Sequence, residues 1–302
     1  MERYRDIIPD FDEFLEAIDD PLPTTARVNS LKSNFDDVAQ SFRELGLEVE
    51  RMEWYENGIR IDGPTDFKIG NTLPYYLGWI HPQEEVSMIP PVVLSPSNDD
   101  LVLDTCAAPG SKTTQLAVKS GGVVANDDDI GRIAALRNNI DRLGVTNVGI
   151  TNYDGRRIPG RGISKPCGKN EYVFDSAVVD VPCTSEGTVR KNPAMKEGAD
   201  ESQINSIRHV QTDILRRTIE LVKSGGTIVY STCTFAPEEN EGVLDEVIDD
   251  VHVREFDIGL DSSPGVTEWE GEEFHEEVDK AKRFYPHKND TGGFFVAKLE
   301  VV

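Results

Sequence analysis

From residue 100 onward, short apolar runs alternate with amphipathic segments, and this alternation restricts the chain more than any other feature. LVLD (101–104) reads as a buried strand, SKTTQLAVKS as a helix and GVVAND as a second strand. IGRIAALRNNIDRLG has apolar residues at helical spacing and stops at Gly144, and NVGITNYD follows as a third strand. A polar, glycine-containing loop (156–172) leads to YVFDSAVVDVP, the fourth strand. INSIRHVQTDILRRTIELVKSGG is a long helix with a glycine stop, and TIVYST is the fifth strand. EENEGVLDEVIDD reads as a helix, HVREFD and GGFFVAKLEVV as further strands, and the polar stretch 262–280 as a surface loop. Strands that alternate with helices predict a doubly wound, mostly parallel α/β sheet with helices on both faces.

The first hundred residues follow a different pattern. FDEFLEAI reads as a short acidic helix, and RVNSLK as an extended stretch. DDVAQSFRELG has helical spacing with Gly46 as its stop, and LEVERMEW and GIRID read as strands. Residues 24–70 therefore form a small α+β unit. NTLPYYLGWIHPQEEVSMIPPVVLS, rich in proline, is a connection with a short helix that packs on the larger unit. The division is 1–95 and 96–302.

Carboxylates and thiols gather at the predicted strand ends. DTCAAPGSKTT, from Asp104, lies between a strand and a helix, where doubly wound sheets bind ligands. It is neither a P-loop nor GxGxxG, so a dinucleotide is not expected. Gly110 permits close backbone approach. Asp127, Asp154 and Asp180 end the second, third and fourth strands. Any one of them reads equally well as a helix cap; three together with the glycine turn point to a ligand edge. Cys183 follows the fourth strand and Cys233 the fifth, so both thiols face one cleft if those strands are neighbours. Each precedes a helix, whose N-terminus lowers a thiol pKa.

There are 302 residues, and four cysteines without CxxC or zinc-ligand spacing, so reduced thiols and no metal are expected. No apolar run approaches the ~20 residues of a membrane span, and the charged start lacks a secretory core; a soluble cytoplasmic protein is expected. The net charge of −24, from 55 acidic and 31 basic residues, argues against a generic nucleic-acid binder. A halophile resolves the tension, because salt selects and screens acidic surfaces; an acidic partner surface in a mesophile is the alternative.

DTCAAPGSKT, AND, YDGR, FDSAVVDVPCTSEGTVRKNP, YSTCTFAPEENE and RFYPHKNDTGGFFVAKL, in that order, resemble the RNA cytosine-C5 methyltransferases of the Nop/Sun type. The resemblance runs from about residue 27 to 299, and its most specific part is the PC and TC pair on successive strands. QEEVSMIPP, DVPC, TVRKN and PHKNDTGGFFVA resemble the archaeal and eukaryotic tRNA branch. The resemblance implies a seven-stranded, Rossmann-like class I methyltransferase domain with a small N-terminal RNA-binding domain. It implies S-adenosyl-L-methionine as cofactor and RNA as partner, with tRNA the expected substrate; a monomer is expected, and with the acidic composition a halophilic archaeon as its source.

By the same resemblance, Cys233 attacks C6 of cytosine and Cys183 assists its release. Asp180 holds the cytosine edge and in acid form donates at N3, which requires burial to raise its pKa. Cys106, Ala107, Ala108, Pro109, Gly110, Ser111 and Lys112 surround the cofactor, with Asp127 on the ribose, Asp154 on the adenine side and Asp180 beside the methyl centre. Arg132 either fixes that loop or is a solvated helix residue. Arg27, Asn29, Arg190 and Lys191 are candidate RNA contacts, with Arg190, Lys191, Arg283 and Lys288 expected to cluster around the cleft. The family's PCSG is PCTSEG here, with the glycine function expected to pass to Gly187. Ribosomal RNA is the alternative substrate. A small-molecule methyltransferase with structural cysteines and an inactive RNA-binding protein are the alternatives from other classes.

Overall fold

The computed structural model describes residues 1–64, 67–160 and 174–302. Cys167 and most of the polar loop after the third strand lie outside the described residues, and the fourth strand is described from Phe174 onward.

After a short helix, α1 (Phe11–Ala17), the chain builds a four-stranded antiparallel sheet. Its strands are β1 (Thr24–Val28), β2 (Glu48–Arg51), β3 (Gly58–Asp62) and β4 (Ile80–Pro82), in the order β2-β3-β1-β4. Helix α2 (Phe35–Arg43) covers it, and α3 (Leu73–Tyr76) precedes β4. Asn34 caps α2 by accepting the Asp37 amide at 3.0 Å, and Gly46 ends the segment in the left-handed region at φ 78°. Val38 and Phe42 of α2 bury against Ala26, Val28, Ile59, Ile61 and Ile80.

The large sheet follows α4 (Ile89–Leu94). Strands β5 (Leu101–Asp104), β6 (Gly122–Asn126), β7 (Val148–Thr151), β8 (Phe174–Asp180) and β9 (Val222–Thr232) are all parallel. Between them run α5 (Ser111–Ala117), α6 (Ile130–Leu143) and α7 (Glu201–Leu221). After β9 come α8 (Glu241–Asp245), β10 (Val251–Arg254) and β11 (Ser263–Pro264), then a ribbon of β12 (Glu268–Trp269) and β13 (Glu272–Glu273). The chain ends with β14 (Lys282–Phe284), α9 (Pro286–Asn289) and β15 (Phe294–Val301).

The order is β11-β14-β15-β9-β8-β5-β6-β7, with β10 also on β15. Strand β15 is antiparallel to β9. On its far edge, β14 pairs with Phe294–Val296 and β10 with Lys298–Val301, so the two share one strand position. Nine segments thus make the expected seven positions plus the short edge strand β11. Helices α4, α5 and α6 pack on one face and α1, α7 and α8 on the other, which is the doubly wound arrangement.

The stretch 262–280 departs from the expected surface loop. Trp269, Phe274 and Val278 are buried in the core beside α7 and α8. Alternation with Glu and Gly hid them in a sequence that reads as polar. Helix α1 also packs here, not on the small sheet, and Phe14 meets Phe235 edge-on with ring centroids 5.4 Å apart. Among the described residues, no helix is long and apolar enough to cross a membrane.

Candidate active site

The loop from Cys106 to Lys112 leaves the end of β5 and is held by its neighbours. The Ala107 amide donates to Asn126 O at 2.7 Å, and the Ala108 amide to Asp127 Oδ2 at 3.1 Å. Arg132 closes the clamp, with Nη2 2.5 Å from Ala108 O and Nη1 3.5 Å from Asp127 Oδ2. Of its two readings, the structure supports loop fixation. Gly110 lies at φ 102°, and a Cβ there would come 2.7 Å from Leu136 Cδ1. Pro109 is exposed and Ala107 and Ala108 are buried. Burial pushes the Cys106 thiol well above its ordinary value, which suits a lining group and not a nucleophile.

Asp127 is buried, and its second oxygen accepts the Asp129 amide at 3.1 Å. Asp154 caps the turn after β7 and pairs with Arg156 at 2.6 Å, which holds it below its ordinary value. Asp180 ends β8 beside Ser231 of β9. Ser231 Oγ donates to Oδ1 at 2.7 Å, and Lys112 Nζ to Oδ2 at 2.7 Å. The Asp180 side chain is 29% exposed. Lys112 also donates to Ser87 Oγ at 3.0 Å, and beside Asp180 it brings the cation.

Strands β8 and β9 are neighbours, and just past their ends the sulfurs of Cys183 and Cys233 lie 3.3 Å apart. Both thiols are half-buried and free, at more than bonding distance. The loops that carry them are stitched together. Gly187 donates to Cys233 O at 2.9 Å, and the hydroxyls of Thr184 and Thr234 meet at 2.8 Å. Buried Glu239 accepts from Thr184 N at 3.1 Å and from Gln211 Nε2 at 2.8 Å. A hydrogen bond from Cys183 lowers the Cys233 pKa, and that same bond, with burial, raises Cys183. The pair therefore favours the anion on Cys233 over the anion on Cys183.

Gly187 and Ser185 take different parts in this turn. A Cβ at Gly187 would lie 2.2 Å from Gly293 O, so the glycine serves close packing, and the left-handed position falls to Ser185 at φ 63°.

Three of the four candidate RNA contacts, and two further members of the expected cluster, are corrected. Arg27 is 2% exposed and reaches Thr114 Oγ1 at 2.9 Å and Gln83 Oε1 at 3.3 Å; burial pulls it down to about 10. Asn29 donates to Gly78 O and Leu143 O, both at 2.8 Å, and so ties the small sheet to the end of α6. Arg190 is buried against Asp20 O, Pro21 O and Thr291 O and pairs with Asp290 at 2.8 Å. Arg283 is buried on Glu241 at 2.5 Å. Lys288 pairs with Asp10 at 2.5 Å. The expected basic cluster at the cleft does not form, and Lys191 is the member of that set left exposed among the described residues.

Sequence reasoning missed Ser231, Ser185, Glu239 and Asp104 as site residues. Ser231 lies on β9 two positions before Cys233, which follows the strand's end, a period-two signal that was legible. Asp104 is fully buried, donated to by Thr113 Oγ1 at 2.7 Å, and burial pushes it up to about 7. Among the described residues, no group of three or more His, Cys, Asp or Glu side chains could hold a metal ion.

A doubly wound sheet with carboxylates at successive strand ends and two thiols in contact at the next defines a methyltransferase of the two-cysteine kind. The chain belongs to the Nop/Sun-type RNA cytosine-C5 methyltransferases: residues 91–300 match the family described as 16S rRNA methyltransferase RsmB/F. Residues 1–68 match the family's ferredoxin-like domain. A 28S rRNA (cytosine-C(5))-methyltransferase of Mus musculus is 37% identical over 95% of this chain, which spans only 36% of that protein's length. A tRNA (cytosine(49)-C(5))-methyltransferase of Pyrococcus abyssi is 35% identical over 99% of this chain and 94% of its own length. The crystal structure of a methyltransferase homolog from Pyrococcus horikoshii aligns with a TM-score of 0.84 and 33% identity, over 100% of this chain and 94% of that one.

Proposed function

We propose that the protein is an S-adenosylmethionine-dependent RNA methyltransferase that forms 5-methylcytosine, with tRNA as substrate. The observation that carries this reading is the pair of half-buried thiols 3.3 Å apart at adjacent strand ends. C5 of cytosine is a poor nucleophile, and addition of sulfur at C6 converts the ring to an enamine whose C5 is nucleophilic. Cys233, held as the thiolate by Cys183, forms the bond to C6. Density then moves toward N3 and O2, where Lys112 brings positive charge, while the Asp180 carboxylate accepts from the exocyclic amine. Once Cys233 is a thioether, the anion that raised Cys183 is gone. Cys183 gives up its proton to solvent and, as thiolate, takes the proton from C5 once C5 carries the methyl group. The C–H electron pair restores the C5–C6 double bond and expels Cys233. The base must leave its stack to reach these groups.

The cofactor falls to residues 106–112 with Asp127, Asp154 and Asp180. The buried Asp104 at this edge has one oxygen, Oδ1, without a partner, which fits a group that brings a hydrogen-bond donor. When bound, S-adenosylmethionine supplies an electrophilic methyl group on a sulfonium. Residues 1–95 serve as the RNA-binding unit and connection, and 96–302 as the cofactor-binding unit. RNA lies between them with Lys191 among its contacts. The charge of −24 suits a halophile, where few phosphate contacts carry affinity.

The match over nearly the whole length of the Pyrococcus abyssi relative supports tRNA. Ribosomal RNA is the second reading, favoured by the description of the matching family and by the mouse relative. The test is trapping with tRNA transcripts and ribosomal RNA fragments. Cys183→Ala is expected to accumulate a covalent RNA adduct, and Cys233→Ala to give neither adduct nor product. Full activity in Cys233→Ala would end the nucleophile assignment. Labelling of the ribosomal fragments alone would replace tRNA by the second reading.

A further inference from the structure

Ser185 sits at φ 63° and ψ 23°, in the left-handed region that penalises any residue with a Cβ. Its neighbours hold it there. Thr184 is tied to Glu239 and Thr234, and Gly187 to Cys233 O. Between them, the buried carboxylate of Glu186 accepts from Tyr4 Oη at 2.5 Å, the Ala199 amide at 3.0 Å and Thr234 Oγ1 at 3.1 Å. With both flanks fixed, the turn cannot relax, and such strain persists where the surroundings over-determine it. Glycine would fill this position without strain. What serine adds is a hydroxyl 3.6 Å from Cys233 Sγ and 3.8 Å from Cys183 Sγ.

We propose that Ser185 is a positioning residue whose hydroxyl turns from Cys183 O, 3.2 Å away, to donate to the Cys233 thiolate and keep that sulfur in its attacking form. The hydroxyl keeps its proton throughout, and no bond is made or broken at Ser185. The charged and titratable groups facing Cys233 are Cys183 and Asp180 from the end of β8 and Lys112 from α5. The first supplies a donor, the second opposes the anion and the third favours it; Ser185 is the neutral donor among them. This role rests on the reading of Cys233 as the nucleophile, but the test does not depend on methyl transfer.

The experiment compares Ser185→Ala, which keeps a Cβ in the strained turn, with Ser185→Gly, which removes it. The rate of iodoacetamide alkylation at Cys233 is followed against pH by site-resolved mass spectrometry. Loss of a hydrogen bond to an anion is expected to raise the midpoint by about one pH unit in both variants. A midpoint unmoved in both makes Ser185 a strained turn residue and overturns the proposal. A shift in only one assigns the effect to backbone geometry and overturns it equally. A shift in both, with a wild-type protein that methylates no RNA, leaves the role of Ser185 standing and removes the proposed reaction instead.

Discussion

The sulfurs of Cys183 and Cys233 stand 3.3 Å apart, and the contact shifts their two pKa values in opposite directions. Cys183 donates and is raised; Cys233 accepts and is lowered from the ordinary 9.0. Alkylation is therefore expected at Cys233 first, with a pH midpoint below 9.0, and at Cys183 only at higher pH. Cys183→Ala removes the donor, the largest cause of the shift, and so raises the Cys233 midpoint. Site-resolved alkylation rates across pH check this. Faster reaction at Cys183 would reverse the assignment of the two thiols.

Asp104 and Thr113 make a second prediction. Burial raises the Asp104 carboxyl from 3.8 to about 7, against the pull of the Thr113 hydroxyl. The folded state thus binds a proton that the unfolded state releases near 3.8. Its contribution to stability is full below 3.8 and is lost as pH rises to about 7. A shift of this size corresponds to an upper bound of roughly 4 kcal/mol. Asp104→Asn is expected to flatten the stability profile between those limits, with the variant gaining on the wild type toward pH 8. Urea denaturation of both proteins across that range measures it, and parallel profiles would count against a buried acid here.

The parallel strands were legible because each apolar run is bounded by a turn, and the thiols because both fall at strand ends. The sharing of one strand position by β10 and β14 was not, since pairing across an insertion leaves no local trace. The arginines failed for a related reason. A guanidinium has the same sequence signature whether it meets a phosphate or a buried carboxylate, and the partner of Arg283 is Glu241, far away in the chain. PCTSEG signalled a departure, but only backbone geometry shows that Ser185 takes the left-handed position and Gly187 the close packing.

Arg283 and Glu241 form a fork with Nε–Oε1 at 2.7 Å and Nη2–Oε2 at 2.5 Å, both side chains shut away from solvent. Nη1 donates to Phe235 O at 2.9 Å, two residues past Cys233. Removing one partner of such a pair leaves a buried charge, at a cost of about 3–5 kcal/mol. Arg283→Met and Glu241→Gln are each expected to lose stability on that scale. With Glu241→Met as the second single variant of the cycle, the double variant Arg283→Met, Glu241→Met is expected to lose less than the sum. A double-mutant cycle by denaturation measures the coupling. Additive losses would mean that the fork contributes nothing as a pair.

Arg27 and Lys191 were grouped in sequence as RNA contacts, and the structure separates them. Arg27 is enclosed between the small sheet and α5 on neutral partners, Gln83 and Thr114, whereas Lys191 is exposed. A cation that neutralises a phosphate releases about 0.7 of a counterion on single-stranded RNA, so its loss shows in the salt dependence of binding. Lys191→Ala is expected to reduce the slope of log K against log salt by roughly 0.7. Arg27→Ala is expected to leave that slope unchanged and to lower stability by about 1–3 kcal/mol, because it orphans buried polar groups. Filter binding of a tRNA transcript over a salt series, with melting of each variant, reads both quantities. If Arg27→Ala reduces the slope as much as Lys191→Ala, its guanidinium reaches RNA, and a purely structural role for Arg27 is wrong.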